Sequence, residues 1–224
     1  VKQYYSMSAG EDTAEIYIFG EITSWPLEES DVSSYLLSRQ IEGADVKEIN
    51  VYINSYGGEV AEAVAIYNTL RRHPAKVRTF CEGFACSAAS VIFMAGEERV
   101  MERASLLMVH NAWTQAGGNA SELRKAADDL EKINDTVAGI YRDAVSISGE
   151  ELQSLLDNET WISPEEAVRM GFATAIAGET SSPGRAAADA KGTLFRMLLE
   201  KPKELKERDM RKFIAALAAE RTGK

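Results

Sequence analysis

Cysteine and histidine are nearly absent from this 224-residue chain, which has two of each. Cys81 and Cys86 lie too close together to staple a domain, and so few thiols and imidazoles make neither a disulfide framework nor a zinc site. A reducing, cytoplasmic setting is therefore expected, with no metal and no cofactor. Long hydrophobic runs are also missing. The longest, residues 85–95, is broken by serines and falls short of the ~18 residues that a membrane span needs, and residues 1–5 carry no apolar signal core. Net positive charge is lacking too: the formal charge is −10, which argues against nucleic acid as a partner, because phosphate contacts need clustered cations. Finally, no Gly-x-x-x-x-Gly-Lys-Ser/Thr segment occurs, so no phosphate-loop ATPase is carried in the same chain.

What the chain does have is a core. A hydrophobic content of 45% excludes disorder throughout, and the length suits one substantial domain with an appendage. Charge divides the two. From Thr193 onward nine Lys and Arg stand against five Asp and Glu, a local +4 that leaves −14 on residues 1–192. The expected organisation is a main domain over 1–177, a small and polar linker over 178–192, and a basic tail over 193–224. The tail is expected to form helices split at Pro202, with Met210, Phe213, Ile214 and Leu217 as a narrow stripe.

Periodicity gives the main domain its elements. Residues 15–20 read as a strand, Ser30 or Asp31 as the cap of a helix carrying Val32, Leu36 and Leu37, and Ile49, Val51 and Ile53 as a strand of period two. A Tyr56-Gly57-Gly58 turn leads into a helix with Val60, Val64, Tyr67 and Leu70 on one face, stopped at Pro74. Strands over 76–81 and 106–110 flank a buried helix over 88–95. Asn119 or Ser121 opens a long helix with Leu123, Ala127, Leu130, Val137, Tyr141 and Ala144 as its stripe. Ser148 with Glu151, and Ser163 with Glu166 after which Pro164 takes the first helical position, have the form of capping boxes; Gly171 ends the last of these helices. Strands alternating with helices imply an α/β domain with crossover connections.

Three places could carry chemistry. Ser87 precedes a buried helix, where free N–H groups favour developing negative charge, or where a serine simply caps. His110 ends a strand and suits proton transfer, or is an ordinary strand-end residue. Gly57-Gly58 offers an unhindered N–H to an oxyanion, or is a plain tight turn. His73, before Pro74, reads as a partner of a helix C-terminus.

Taken together, these places fall within a known pattern. Tyr52-Ile53-Asn54-Ser55-Tyr56-Gly57-Gly58, Ile66-Tyr67-Asn68-Thr69-Leu70, Gly83-Phe84-Ala85-Cys86-Ser87, Met108-Val109-His110 and Ser163-Pro164-Glu165-Glu166-Ala167-Val168-Arg169-Met170-Gly171 closely resemble the Clp protease proteolytic subunit (ClpP-like) family. The blocks occur in family order from about residue 15 to 177. The resemblance implies a ClpP/crotonase-like α/β fold of repeated β-β-α units, with a protruding handle helix over about 121–145. It implies a serine peptidase with Ser87 as nucleophile, His110 as base, and the backbone N–H groups of Gly58 and Ala88 as oxyanion donors. Gly57, Gly117 and Gly118 would lie along bound peptide. The family's aspartate falls on Glu159, a departure, with Asp157 as the alternative acid; an Arg that often precedes that acid is Asn158 here, and the Gln-Pro that often follows the histidine is Asn111-Ala112. Implied partners are protein or peptide substrates, further copies in a heptameric ring or stacked double ring, and a separate AAA+ unfoldase. Glu159-Thr160-Trp161-Ile162-Ser163 and the basic tail look like the phage and prophage branch, whose partners are capsid or scaffold proteins during head maturation. Two rivals remain on the sequence alone: an enoyl-CoA hydratase-like enzyme, and a ring protein that keeps the fold without catalysis.

Overall fold

Alternating apolar residues build the centre of the sheet. In the computed structural model, which describes residues 7–9, 12–28 and 30–178, Ala14, Ile16 and Ile18 of one strand and Val51 and Ile53 of the next are fully buried. The strands are β1 (Met7–Ala9), β2 (Thr13–Ile18), β3 (Glu48–Ser55), β4 (Lys76–Cys86), β5 (Glu98–Met101), β6 (Leu106–Val109), β7 (Thr160–Ile162) and β8 (Ala175–Ile176). The helices are α1 (Ser34–Glu42), α2 (Val60–Arg72), α3 (Ala88–Phe93), α4 (Ala120–Arg142), α5 (Gly149–Asp157) and α6 (Pro164–Met170). Pairing is parallel from β2 through β3, β4 and β5 to β8, with β1 antiparallel on β2. This is the α/β crossover architecture that the sequence implies. The expected linker over 178–192 lies outside the described residues apart from Gly178, and the tail over 193–224 lies outside them entirely.

β4 controls the layout. It runs five residues beyond the expected strand end at Cys81, and its register with β3 shifts between Ile53 and Ser55. Its first half pairs with β5 through Arg78–Cys81, and its second half pairs with β6 through Phe84–Cys86. One long strand thus serves two sets of neighbours, and its far end delivers Ser87 beside the end of β6. On the sheet face away from the buried isoleucines, Tyr17, Tyr52 and Phe80 stack in adjacent registers at 4.8 and 4.9 Å.

All six residues of α3 are buried, so this short helix is a core element rather than an amphipathic one. α6 carries the full capping box between Ser163 and Glu166 and ends in a left-handed Gly171 at φ 86°. Ser148 accepts the Glu151 N–H in the same way, giving one half of that motif.

Two expectations shift. α1 begins at Ser34, not after Ser30 or Asp31. Val32 instead bridges to Ile22, and Asp31 spends its carboxylate on the N–H groups of Leu27 and Glu28, locking the preceding loop. The buried side of α1 is accordingly Leu37 and Ile41, and Leu36 is exposed. The stripe of α4 divides: Val137 and Tyr141 enter the core, but Leu123 and Ala127 stand exposed in the single chain.

Candidate active site

Strand register alone gathers the candidate side chains. Cys86 of β4 lies opposite Met108 of β6, so Ser87, one residue on, and His110, two residues on, leave the two strands side by side. β6 pairs antiparallel with β7, Val109 opposite Thr160, which sets Glu159 on the far side of His110. The outcome is a row: His110 Nε2 lies 2.7 Å from Ser87 Oγ, and His110 Nδ1 lies 3.7 Å from Glu159 Oε2. The imidazole is well buried and the carboxylate mostly exposed, at 15% and 64% of their side-chain surfaces.

Ser87 occupies the N-cap position of α3 without capping it. Its φ of 53° and ψ of −124° turn the chain sharply between strand and helix, and its hydroxyl points at the imidazole. Its own N–H is taken by Met108 O at 2.9 Å, which ties the turn to β6. The next N–H, that of Ala88, opens α3, where no intrahelical acceptor exists. Gly57 sits against it: a Cβ there would come within 3.0 Å of Ala88 N and 2.8 Å of Ser87 Cβ. Gly58 follows at φ 146°. Ile22 N–H bonds Gly57 O and Glu59 N–H bonds Ile22 O, so the bridge turns Gly58 N–H away from Ile22. Ser55 Oγ donates to Gly20 O at 2.5 Å and accepts the Gly57 N–H at 3.0 Å, fixing the start of this turn.

The loop after His110 is held from three sides. Asn111 N–H bonds Leu156 O, Asn111 Nδ2 bonds Asp157 Oδ1 at 2.7 Å, and Ala112 N–H bonds Asn134 Oδ1 of α4 at 2.8 Å. Asp157 also accepts from Gln153, so its carboxylate holds this loop while Glu159 stands beside the imidazole. Gly117 and Gly118 lie in the exposed segment leading to α4, and a Cβ on Gly117 would meet nothing within 4 Å. His73, expected at a helix end, caps α2 and contacts Ala44 O at 3.1 Å.

Neighbouring acids and thiols are spoken for. The Glu59 carboxyl is held below its usual range by hydrogen bonds from Ser24 and Thr23. Burial pushes the Cys86 thiol, next to Ser87, up to about 12, which leaves it protonated and poor as a nucleophile. Sequence reading missed an aromatic row beside the site, in which Phe84 meets Tyr56 and Trp161 edge to face at 5.5 and 5.7 Å. Only the pairing of β6 with β7 brings Trp161 there.

By its relatives the chain is a peptidase, a hydrolase of the amide bond. More narrowly, the chain belongs to the Clp protease family, whose family model matches residues 4–180. It is 35% identical over 136 residues to an ATP-dependent Clp protease proteolytic subunit from Deinococcus radiodurans, covering 60% of this chain and 67% of that one. Subunits of the same description from Borrelia garinii subsp. bavariensis and Bacteroides fragilis are 27% and 32% identical over 163 and 128 residues. Those matches cover 72% and 56% of this chain and 82% and 62% of theirs. Among the described residues, no helix is long and apolar enough to cross a membrane.

Proposed function

We propose that this protein is a serine endopeptidase in which Ser87 is the nucleophile, His110 the general base and Glu159 the orienting acid. The observation that carries this reading is the 2.7 Å approach of His110 Nε2 to the hydroxyl of a serine held at a sharp strand-to-helix turn. His110 Nε2 takes the Ser87 proton as Oγ attacks the substrate carbonyl carbon. That assignment needs the single N–H proton of the neutral imidazole on Nδ1, the tautomer that a carboxylate at Nδ1 favours. The N–H groups of Gly58 and Ala88 stabilise the tetrahedral oxyanion, each contributing ~3 kcal/mol at the transition state. His110 returns the proton to the leaving amine, and water, activated by the same imidazole, releases the acyl group from Ser87. Asp157 has no part in this, because its carboxylate is engaged with Asn111 and Gln153.

Substrates are extended peptides lying along the 57–58 turn and the 117–118 segment, where Gly58, Gly117 and Gly118 are exposed. The assembly is a ring, heptameric or a stacked pair of heptamers, supported by the exposed outer part of α4. Delivery of folded substrates falls to a separate AAA+ unfoldase. In a prophage setting the substrates are capsid or scaffold proteins, a reading supported by the 159–163 block and the basic tail. The division into a peptidase domain over 1–177, a linker over 178–192 and a tail over 193–224 rests on composition and charge, and the cytoplasmic setting on two free buried thiols.

Fluorophosphonate labelling tests the chemistry. A single adduct on Ser87, absent in Ser87→Ala, with loss of peptide hydrolysis in that variant, is the expected result. An unlabelled oligomer that leaves small peptides and casein intact would establish the non-catalytic ring. Acyl-CoA turnover in the absence of labelling would establish the hydratase.

A further inference from the structure

The peptide unit between Ser87 and Ala88 has two ends, and the fold ties down the carbonyl end. Its N–H end is the one facing Gly57. Its C=O end points into the core, where Ser87 O accepts the Ser90 N–H at 2.9 Å and the Ser90 hydroxyl at 2.6 Å. Ser90 Oγ in turn lies 2.6 Å from the hydroxyl of Tyr141, far along α4. Ser90 and Tyr141 are buried, at 0% and 1% exposure, and the Tyr141 ring rests edge-on against Phe172 at 5.8 Å.

Proton counting sets the direction of this chain. A carbonyl oxygen only accepts, so the single Ser90 hydroxyl proton goes to Ser87 O. Tyr141 must then donate to Ser90 Oγ. Burial raises the Tyr141 phenol to about 12, so it holds its proton at neutral pH and stays a donor. Because a peptide unit is planar, fixing its oxygen fixes the direction of its N–H. Donation to the oxygen also polarises the unit and strengthens the N–H as a donor. Ser87 needs such restraint, since a non-glycine residue at φ 53° is held only where its surroundings over-determine it.

We infer that Ser90 and Tyr141 are positioning residues for catalysis: a buried hydroxyl relay from α4 to the Ser87–Ala88 peptide aims and strengthens the Ala88 N–H toward the oxyanion. The inference rests on the reading of Ser87 as nucleophile and Ala88 N–H as oxyanion donor. It also means that the inner end of α4 reaches the reacting peptide unit through Ser90, so a shift of that helix is felt in turnover before it is felt in binding.

The test uses the full chain with Tyr141→Phe, Ser90→Ala and the double variant. Each is assayed for hydrolysis of a fluorogenic peptide and for the ionisation of the adduct formed with a 13C-labelled peptidyl trifluoromethyl ketone, followed by NMR. Tyr141→Phe is expected to lower kcat about three- to tenfold with KM within about twofold, the size of one hydrogen bond lost from the transition state. Ser90→Ala should cost more, and the double variant should match Ser90→Ala, because Tyr141 acts through Ser90. The adduct oxyanion should protonate at higher pH in all three, a readout that a purely structural role leaves unmoved. Wild-type kcat and adduct ionisation in Tyr141→Phe, a change in KM alone, or independent losses that multiply in the double variant would overturn the relay. The ketone adduct is read on folded protein, so reduced yield of a variant does not obscure the result. A wild-type chain that neither labels at Ser87 nor hydrolyses peptide removes the proposed function itself, and the relay with it.

Discussion

Ser87 and Glu159 are the two non-glycine residues with positive φ among the described residues, at 53° and 47°, and they stand on opposite sides of His110. Each sits at a strand end next to a helix end: Ser87 between β4 and α3, Glu159 between α5 and β7. Such backbone costs about 1–3 kcal/mol per residue and persists where packing enforces it. Here the enforced turns aim one side chain at each nitrogen of a single imidazole.

That geometry sets the size of the effect expected at Glu159. The carboxylate is mostly exposed and its closest approach to Nδ1 is 3.7 Å, longer than a hydrogen bond. Glu159→Gln should therefore lower kcat by about ten- to a hundredfold, well short of the ~10⁴ that follows removal of a buried acid. Steady-state kinetics on a peptide ester and amide checks this. A loss as large as that of Ser87→Ala would mean that Glu159 closes on the imidazole during turnover.

Gly58 admits no side chain. A Cβ there would lie 2.0 Å from Ile22 O, a backbone atom, and φ is 146°. Gly58→Ala should move the 57–58 turn and its N–H, lowering kcat by roughly 10²–10³ while fluorophosphonate still reaches Ser87, only more slowly. Retention of wild-type kcat would exclude this N–H as an oxyanion donor.

Arg99 clamps the far edge of the sheet. Its guanidinium donates to Phe172 O, Gly96 O and Gly171 O at 2.7, 2.9 and 3.1 Å, and burial lowers its pKa from the usual value. Arg99→Met should strand those carbonyls and cost about 2 kcal/mol, read as a melting temperature lower by roughly 4–8 °C. Arg99→Lys should recover little, because an ammonium lacks the planar fork. An unchanged melting temperature in both would count against the clamp.

Alkali should loosen the fold through the thiols. Burial raises Cys81 and Cys86 from 9.0 to about 12. Their stabilising effect is complete below pH 9, where both states hold the proton. It is lost as pH climbs from 9 toward 12, because the unfolded chain ionises first. Each thiol contributes a slope of up to ~1.4 kcal/mol per pH unit in that window. Urea midpoints should fall between pH 8 and 10.5, and Cys81→Ala should flatten the fall. A midpoint that holds or rises contradicts this sign.

Much of the site was legible along the chain because its parts are local. Gly57-Gly58 follows a strand, Ser87 opens a helix and His110 closes a strand, and each position is encoded by residues within a turn of it. Which of Glu159 and Asp157 stands beside His110 was not legible, since both lie within three residues and only the pairing of β7 with β6 brings Glu159 there. The same holds for α1: Asp31 looks like a cap, but its carboxylate found the Leu27 and Glu28 N–H groups first. β5 and β8 were missed because short strands of four and two residues carry too little alternation to read.

By itself the sequence determined the α/β alternation and much of the core, because periodicity and side-chain type are properties of neighbours. Only the tertiary structure decided which groups meet. The doubling of β4's partners, the placing of Glu159 beside His110 and the hydrogen bonds from Tyr141 through Ser90 to Ser87 join residues 20 to 54 positions apart. Contacts at that range are set by strand register and helix packing, which no local pattern encodes.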